Sequence, residues 1–137
     1  MKKIVSLLFV LLMLMSFSGC GSFVPRSDSV YIKVYNFTGK SLSSIALNEY
    51  DRSVLKSTIV AQNADGSCYK PGESLIFEVL DAEPDDFSFV ITATEEGGKS
   101  FVSNKISAAR LCRGVIFSYS ADEADGKLVL EYKGAES

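Results

Sequence analysis

Histidine and tryptophan are both absent from the sequence. Without histidine, no Ser-His-Asp or Cys-His triad can form, nor any histidine-bearing zinc or iron site. The side chain whose unperturbed pKa lies nearest neutrality is missing with it. Cysteine, methionine and proline are scarce, at three each in 137 residues. The cysteines stand at 20, 68 and 112, so no C-x-x-C pair exists to suggest a dithiol redox centre or a zinc ribbon. A basic excess is also lacking. Fourteen Lys and Arg face seventeen Asp and Glu, a formal charge of −3, which argues against a phosphate-binding nucleic-acid partner. The length suits one domain.

What is present begins with Met1-Lys2-Lys3, a short basic segment. Residues 4–17 follow as an almost wholly apolar run of fourteen. A bilayer-spanning helix needs about 20 such residues, whereas 10–14 suits the core of a signal peptide. The run has no polar face, which disfavours a buried amphipathic helix.

Behind the apolar core stands Phe17-Ser18-Gly19-Cys20. This resembles the lipobox of bacterial lipoproteins: a bulky apolar residue, two small residues, then the lipid-accepting cysteine. Phe17 departs from the family's usual leucine. The resemblance covers residues 1–20. It implies a signal peptide at 1–19, cleavage between Gly19 and Cys20, and a diacylglycerol on the Cys20 thiol, often with acylation of the new amine. Several acyl chains hold a protein stably where one alone is marginal. Gly21, standing where enteric lipoproteins retained at the inner membrane carry Asp, implies the outer membrane if the organism has one.

Removing residues 1–19, with Lys2 and Lys3, leaves 118 residues, twelve basic against seventeen acidic, and a net charge of −5. All three methionines go with the signal. Residues 20–28 read as a lipidated tether, of which the eight beyond Cys20 reach at most roughly 28 Å. Residues 29–137 read as the folded domain. With Cys20 lipidated, Cys68 and Cys112 form an even pair in a disulfide-permissive compartment. A bridge between them would close a loop of about 44 residues and contribute about 4 kcal/mol in the chain-entropy model. The alternative is two free thiols.

From residue 29 the hydrophobic period is two, the signature of strands. Val30, Ile32 and Val34 alternate with Tyr31, Lys33 and Tyr35. Asn36-Phe37-Thr38-Gly39-Lys40 supplies a turn. A short strand at Leu42–Leu47, a polar loop at Asn48–Arg52 and a strand at Val54–Gln62 follow. Lys70-Pro71-Gly72-Glu73 is a break, after which Leu75, Phe77 and Val79 alternate. Phe87, Phe89, Ile91 and Ala93 form the next inward set. Glu96–Lys99 reads as a hairpin turn into a strand at Phe101–Ile106, and Ser107–Leu111 as one helical turn. Ala124-Asp125-Gly126-Lys127 is an Asp-Gly hairpin signal. Seven to nine short strands without a long helix predict an all-β antiparallel sandwich, immunoglobulin-like in outline, with a small β-barrel as the alternative. The first strand, the Asn-x-Thr-Gly turn and the Pro-Gly-Glu-Ser strand opener resemble small β-sandwich domains of secreted bacterial proteins.

Candidate chemistry is sparse. Ser53-x-x-Lys56 and Ser67-x-x-Lys70 match a nucleophile motif that works only at a helix N-terminus. On a strand, positions i and i+3 point to opposite faces. Asp81, Glu83, Asp85 and Asp86 form an acidic run without the fixed ligand offsets of a calcium loop. Asn36-Phe37-Thr38 fits the N-glycosylation pattern but reads as turn sequence. Tyr31, Lys33 and Tyr35 share one strand face. Two rings flanking a cation can stack a sugar or grip a peptide, or can simply pack across strands.

The expectation is therefore a non-catalytic envelope lipoprotein, without cofactor or metal, that binds a protein or glycan partner at the membrane surface. The candidate binding residues are Tyr31, Lys33 and Tyr35, with Asp85 and Asp86. An alternative is an inhibitor or protective module that presents the acidic run to a hydrolase cleft. Small envelope lipoproteins that inhibit lysozyme are similar in build, but their motifs are not found here.

Overall fold

A computed structural model describes residues 23–80, 87–107 and 111–136. Cys20, Asp85 and Asp86 lie outside them. The described residues form nine strands and no helix: β1 Ser29–Asn36, β2 Leu42–Asp51, β3 Val54–Ala61, β4 Ser74–Leu80, β5 Phe87–Glu95, β6 Ser100–Val102, β7 Ile106–Ser107, β8 Ile116–Ala124 and β9 Lys127–Glu136. They make two sheets, ordered β4-β1-β8-β9 and β3-β2-β5-β6, with β7 also paired to β5. The result is a β-sandwich, not the closed barrel.

The expected alternation builds the core. Val30, Ile32 and Val34 of β1 and Leu75, Phe77 and Val79 of β4 point inward, with Ile32 opposite Phe77. From the other sheet, Leu47 and Ile91 are paired and both fully buried, as are Ile45, Phe89, Ala93 and Phe101. Each large side chain so buried contributes about 1.5–3 kcal/mol relative to exposure.

One pairing departs from the antiparallel expectation. β1 and β8 run parallel, from Tyr31 opposite Ile116 to Asn36 opposite Ala121. A parallel pair needs a long crossover, and residues 37–115 supply it. Two segments also differ locally. β2 continues to Asp51 through the expected loop. Its polar residues are satisfied there: Asn48 joins Thr58 and Thr92 in a cross-strand ladder on the outer face. Glu49 points inward at the rim and accepts from Ser57 at 2.7 Å, with Lys56 at 3.5 Å. The expected strand at Phe101–Ile106 is split, because the Ser103 hydroxyl accepts from the Ile91 amide at 2.9 Å and displaces a ladder carbonyl. Of the expected helical turn, residues 108–110 lie outside the described residues.

The expected disulfide does not form; Cys68 and Cys112 are not joined. They belong to opposite ends of β1. Cys68 precedes Tyr69, whose carbonyl accepts from Asn36 Nδ2 at 3.1 Å. Cys112 lies two residues before Gly114, whose amide donates to the Ser29 carbonyl at 2.8 Å. Seven residue steps separate Ser29 from Asn36, about 23 Å of strand. A bridge needs Cα atoms within about 7 Å.

The turns follow their chemistry. Asp125 and Gly126 both take positive φ, 53° and 75°, as a two-residue Asp-Gly hairpin requires. In Lys70–Glu73, Gly72 takes φ 88° after Pro71, and the Glu73 amide donates to the Lys70 carbonyl at 3.1 Å.

Candidate functional site

The outer face of the four-stranded sheet carries Tyr31, Lys33 and Tyr35, as the alternation predicts, but the structure divides them. Tyr31 is only 1% exposed. Residues ahead of β1 cover it: the Phe23 ring meets it edge-on at 5.1 Å, and the Arg26 amide donates to its hydroxyl at 2.8 Å. That hydroxyl donates in turn to Glu78 Oε1 at 3.1 Å. Tyr31 is thus a structural residue, closed to a ligand.

Lys33 and Tyr35 remain open. Tyr35 stacks on Phe37, with ring centroids 6.0 Å apart and planes 15° from parallel. Lys33 Nζ lies 4.9 Å from the Tyr35 centroid. Its pKa is raised above the usual lysine value, chiefly by its hydrogen bond to the Tyr35 side chain, with Glu136 adding to the effect, so it is cationic at neutral pH. The two rings, with Ser118, Lys133, Gly134, Ala135 and Glu136, line an open groove of about 320 Å³.

The groove has a local cause on each side. Phe37 is placed because its amide donates to the Ala121 carbonyl at 2.8 Å, which carries the β1–β8 pairing one residue past the strand. On β9 the register shifts: Ser118 pairs with Gly134, but Tyr119 pairs with Tyr132. Lys133 is the extra residue of this bulge, and Gly134 absorbs it at φ 131°. Glu136 accepts from Ser118 Oγ at 3.5 Å. The site therefore offers two ring faces, two cations, a carboxylate and a hydroxyl. Those are groups for binding.

Sequence reasoning placed Lys33 and Tyr35 here and missed Phe37, Ser118, Lys133 and Glu136. Phe37 was within reach: it continues the period-two face of Tyr31, Lys33 and Tyr35, but its Asn-x-Thr-Gly context reads as turn. Among the other motifs, Ser67 is occupied by Asn63 and Asp65, and Lys56 by Glu49. The Asn36 side chain is fully buried, so the glycosylation pattern is turn chemistry.

A larger apolar pocket of about 470 Å³ lies between the sheets, lined by Ile106, Leu111, Phe117, Tyr119, Leu130 and Tyr132, with Ser107. Burial, then the neighbouring Tyr132, raises the Tyr119 pKa. Positions 108–110, outside the described residues, join its lining residues Ser107 and Leu111.

A solved structure shares this fold. An NMR structure of a protein from Eubacterium rectale matches with a TM-score of 0.53 and 14% identity, covering 80% of this chain and 92% of that one. At that identity the likeness shows the fold alone. No protein-family model and no curated protein matches the chain.

Proposed function

We propose that the protein is a non-catalytic, lipid-anchored envelope protein whose sandwich binds an envelope glycan or protein segment in the Tyr35–Phe37 groove. The anchor reading rests on the basic start, the apolar run and the Cys20 lipobox, with the outer membrane as its site if the organism has one. The observation that carries the binding reading is the stacked pair of rings, Tyr35 half-buried and Phe37 exposed, beside Lys33 and Glu136. Phe37, 49% exposed, is a large apolar ring held at the surface by a backbone hydrogen bond. A sugar presents C–H faces to rings and hydroxyls to charged groups, and this groove supplies both, so the glycan reading leads. The inhibitor reading leans on Asp85 and Asp86, outside the described residues.

Two measurements test the proposal. Palmitate should label the wild type and not Cys20→Ala; labelling of both refutes the anchor. The lipidated protein in detergent should bind soluble glycan fragments from the envelope. Tyr35→Ala or Phe37→Ala should weaken that binding about tenfold, the loss of one aromatic contact. Val102→Ala, on the other sheet, should not. Binding indifferent to both rings overturns the groove as the site.

A further inference from the structure

We infer that residues 23–28 are part of the domain, not a spacer, and that they seat the Ser29/Asp51 end of the sandwich on the lipid surface that holds Cys20. This rests on the lipoprotein reading above.

The strand pairings define that end. Ser29 pairs with Leu80, Asp51 with Phe87, and Asp51 also with Val54. The opposite end is marked by Asn36, which bonds Tyr69, and by Leu42, which pairs with Tyr69.

Sequence alone gives eight residues of free tether. The structure removes most of them. Phe23 packs on Tyr31, the Arg26 amide bonds the Tyr31 hydroxyl, and the Ser29 amide reaches the Arg26 carbonyl at 3.5 Å. Ser27 Cα lies 3.5 Å from where a Cβ on Gly114 would stand, so the segment lies against the β8 approach. The chain is thus fixed from Phe23 onward. Cys20 precedes Phe23 by three residues, about 11 Å at full extension. A lipid on Cys20 therefore brings this end to the headgroup layer.

The end is built for that neighbour. Ten large hydrophobic side chains are exposed among the described residues, and five are here: Phe23, Val24, Val54, Leu55 and Leu80, each at least half exposed. They come from both sheets, since β3 touches β4 across the layers. Arg26, Arg52 and Arg113 belong to the same end, where Arg26 pairs with Asp28 at 3.3 Å. Acidic groups are here too: Asp28, Asp51 and Glu78, and the run 81–86 joins Leu80 to Phe87 in sequence. With both signs present, apolar insertion rather than attraction to anionic lipid fixes the orientation. At the opposite end Lys40 is paired to Glu95 and Glu123, and Phe37 is the exposed ring next to Asn36.

The absence of tryptophan gives a clean test. Full-length protein carrying Phe23→Trp, Leu55→Trp or Val102→Trp is purified in lipidated form and reconstituted in phosphatidylcholine vesicles. Lipid attachment is checked by mass and by flotation. Phe23→Trp and Leu55→Trp should emit to the blue and lose emission when lipids brominated near the headgroup are used. Val102→Trp, away from this end, should keep its emission. If lipidated Phe23→Trp or Leu55→Trp is not quenched, or if all three variants are quenched alike, the seating is overturned and the anchor stands. A flotation test that fails because Cys20 carries no lipid sinks both.

Discussion

Thr38 Oγ1 donates to Asn36 Oδ1 at 2.7 Å, and the Thr38 amide reaches the same oxygen at 3.2 Å. Asn36 Nδ2 meanwhile donates to the carbonyls of Lys40 at 2.8 Å and Tyr69 at 3.1 Å. One buried amide thus closes the turn after β1 and ties it to the segment that pairs with β2. Asn36→Ala would strip the Lys40 carbonyl, the Thr38 amide and the Thr38 hydroxyl of their partner in a water-poor site, while the Tyr69 carbonyl keeps the Leu42 amide at 2.9 Å. The expected loss is about 2–4 kcal/mol, read as a lower urea midpoint at unchanged slope. Asn36→Asp should not rescue it, because a carboxylate has no N–H to donate.

Cys68 and Cys112, at opposite ends of β1, should both react with a thiol reagent once the protein, kept under oxidising conditions, is unfolded. Mass spectrometry under non-reducing conditions should find two labels on these residues. Reductant should leave the melting temperature unchanged, whereas loss of a bridge over this span would cost several kcal/mol.

Glu123 should make the fold acid-sensitive. The Gly126 amide donates to its carboxylate at 3.0 Å, and Lys40 lies 3.2 Å away. The first of these, then the second, lowers its pKa below the ordinary 4.5. A carboxyl with a lowered folded pKa contributes stability above the ordinary value. That contribution is lost as pH falls through the folded value. Glu123→Gln should therefore melt lower than wild type at neutral pH, and the two should converge as pH drops below 4.5. Thermal melts across that range decide it.

Much of the fold was legible because strand alternation and turn chemistry are local. Val30, Ile32 and Val34 announce one inward face, and Asp125-Gly126 announces a hairpin, without reference to any distant residue. The failures are equally specific. Asn48 and Glu49 look like loop residues until Thr92, Thr58 and Ser57 are beside them to satisfy their side chains. Ser103 looks like any strand serine until its hydroxyl takes the Ile91 amide.

The strands, their inward faces and most turns were written in the sequence alone, since each depends on residues within a few positions of one another. Tertiary structure decided what those strands meet. It set β1 parallel to β8, held Cys68 and Cys112 apart, closed Tyr31 beneath Phe23, and joined Tyr35 and Phe37 to Ser118 and Glu136. These are choices between partners roughly forty to a hundred residues apart along the chain. For Tyr31 the nearer partner, Phe23, lies in a segment with no strand pattern. Periodicity fixes the direction in which a side chain points; only the packed sheets fix what stands there.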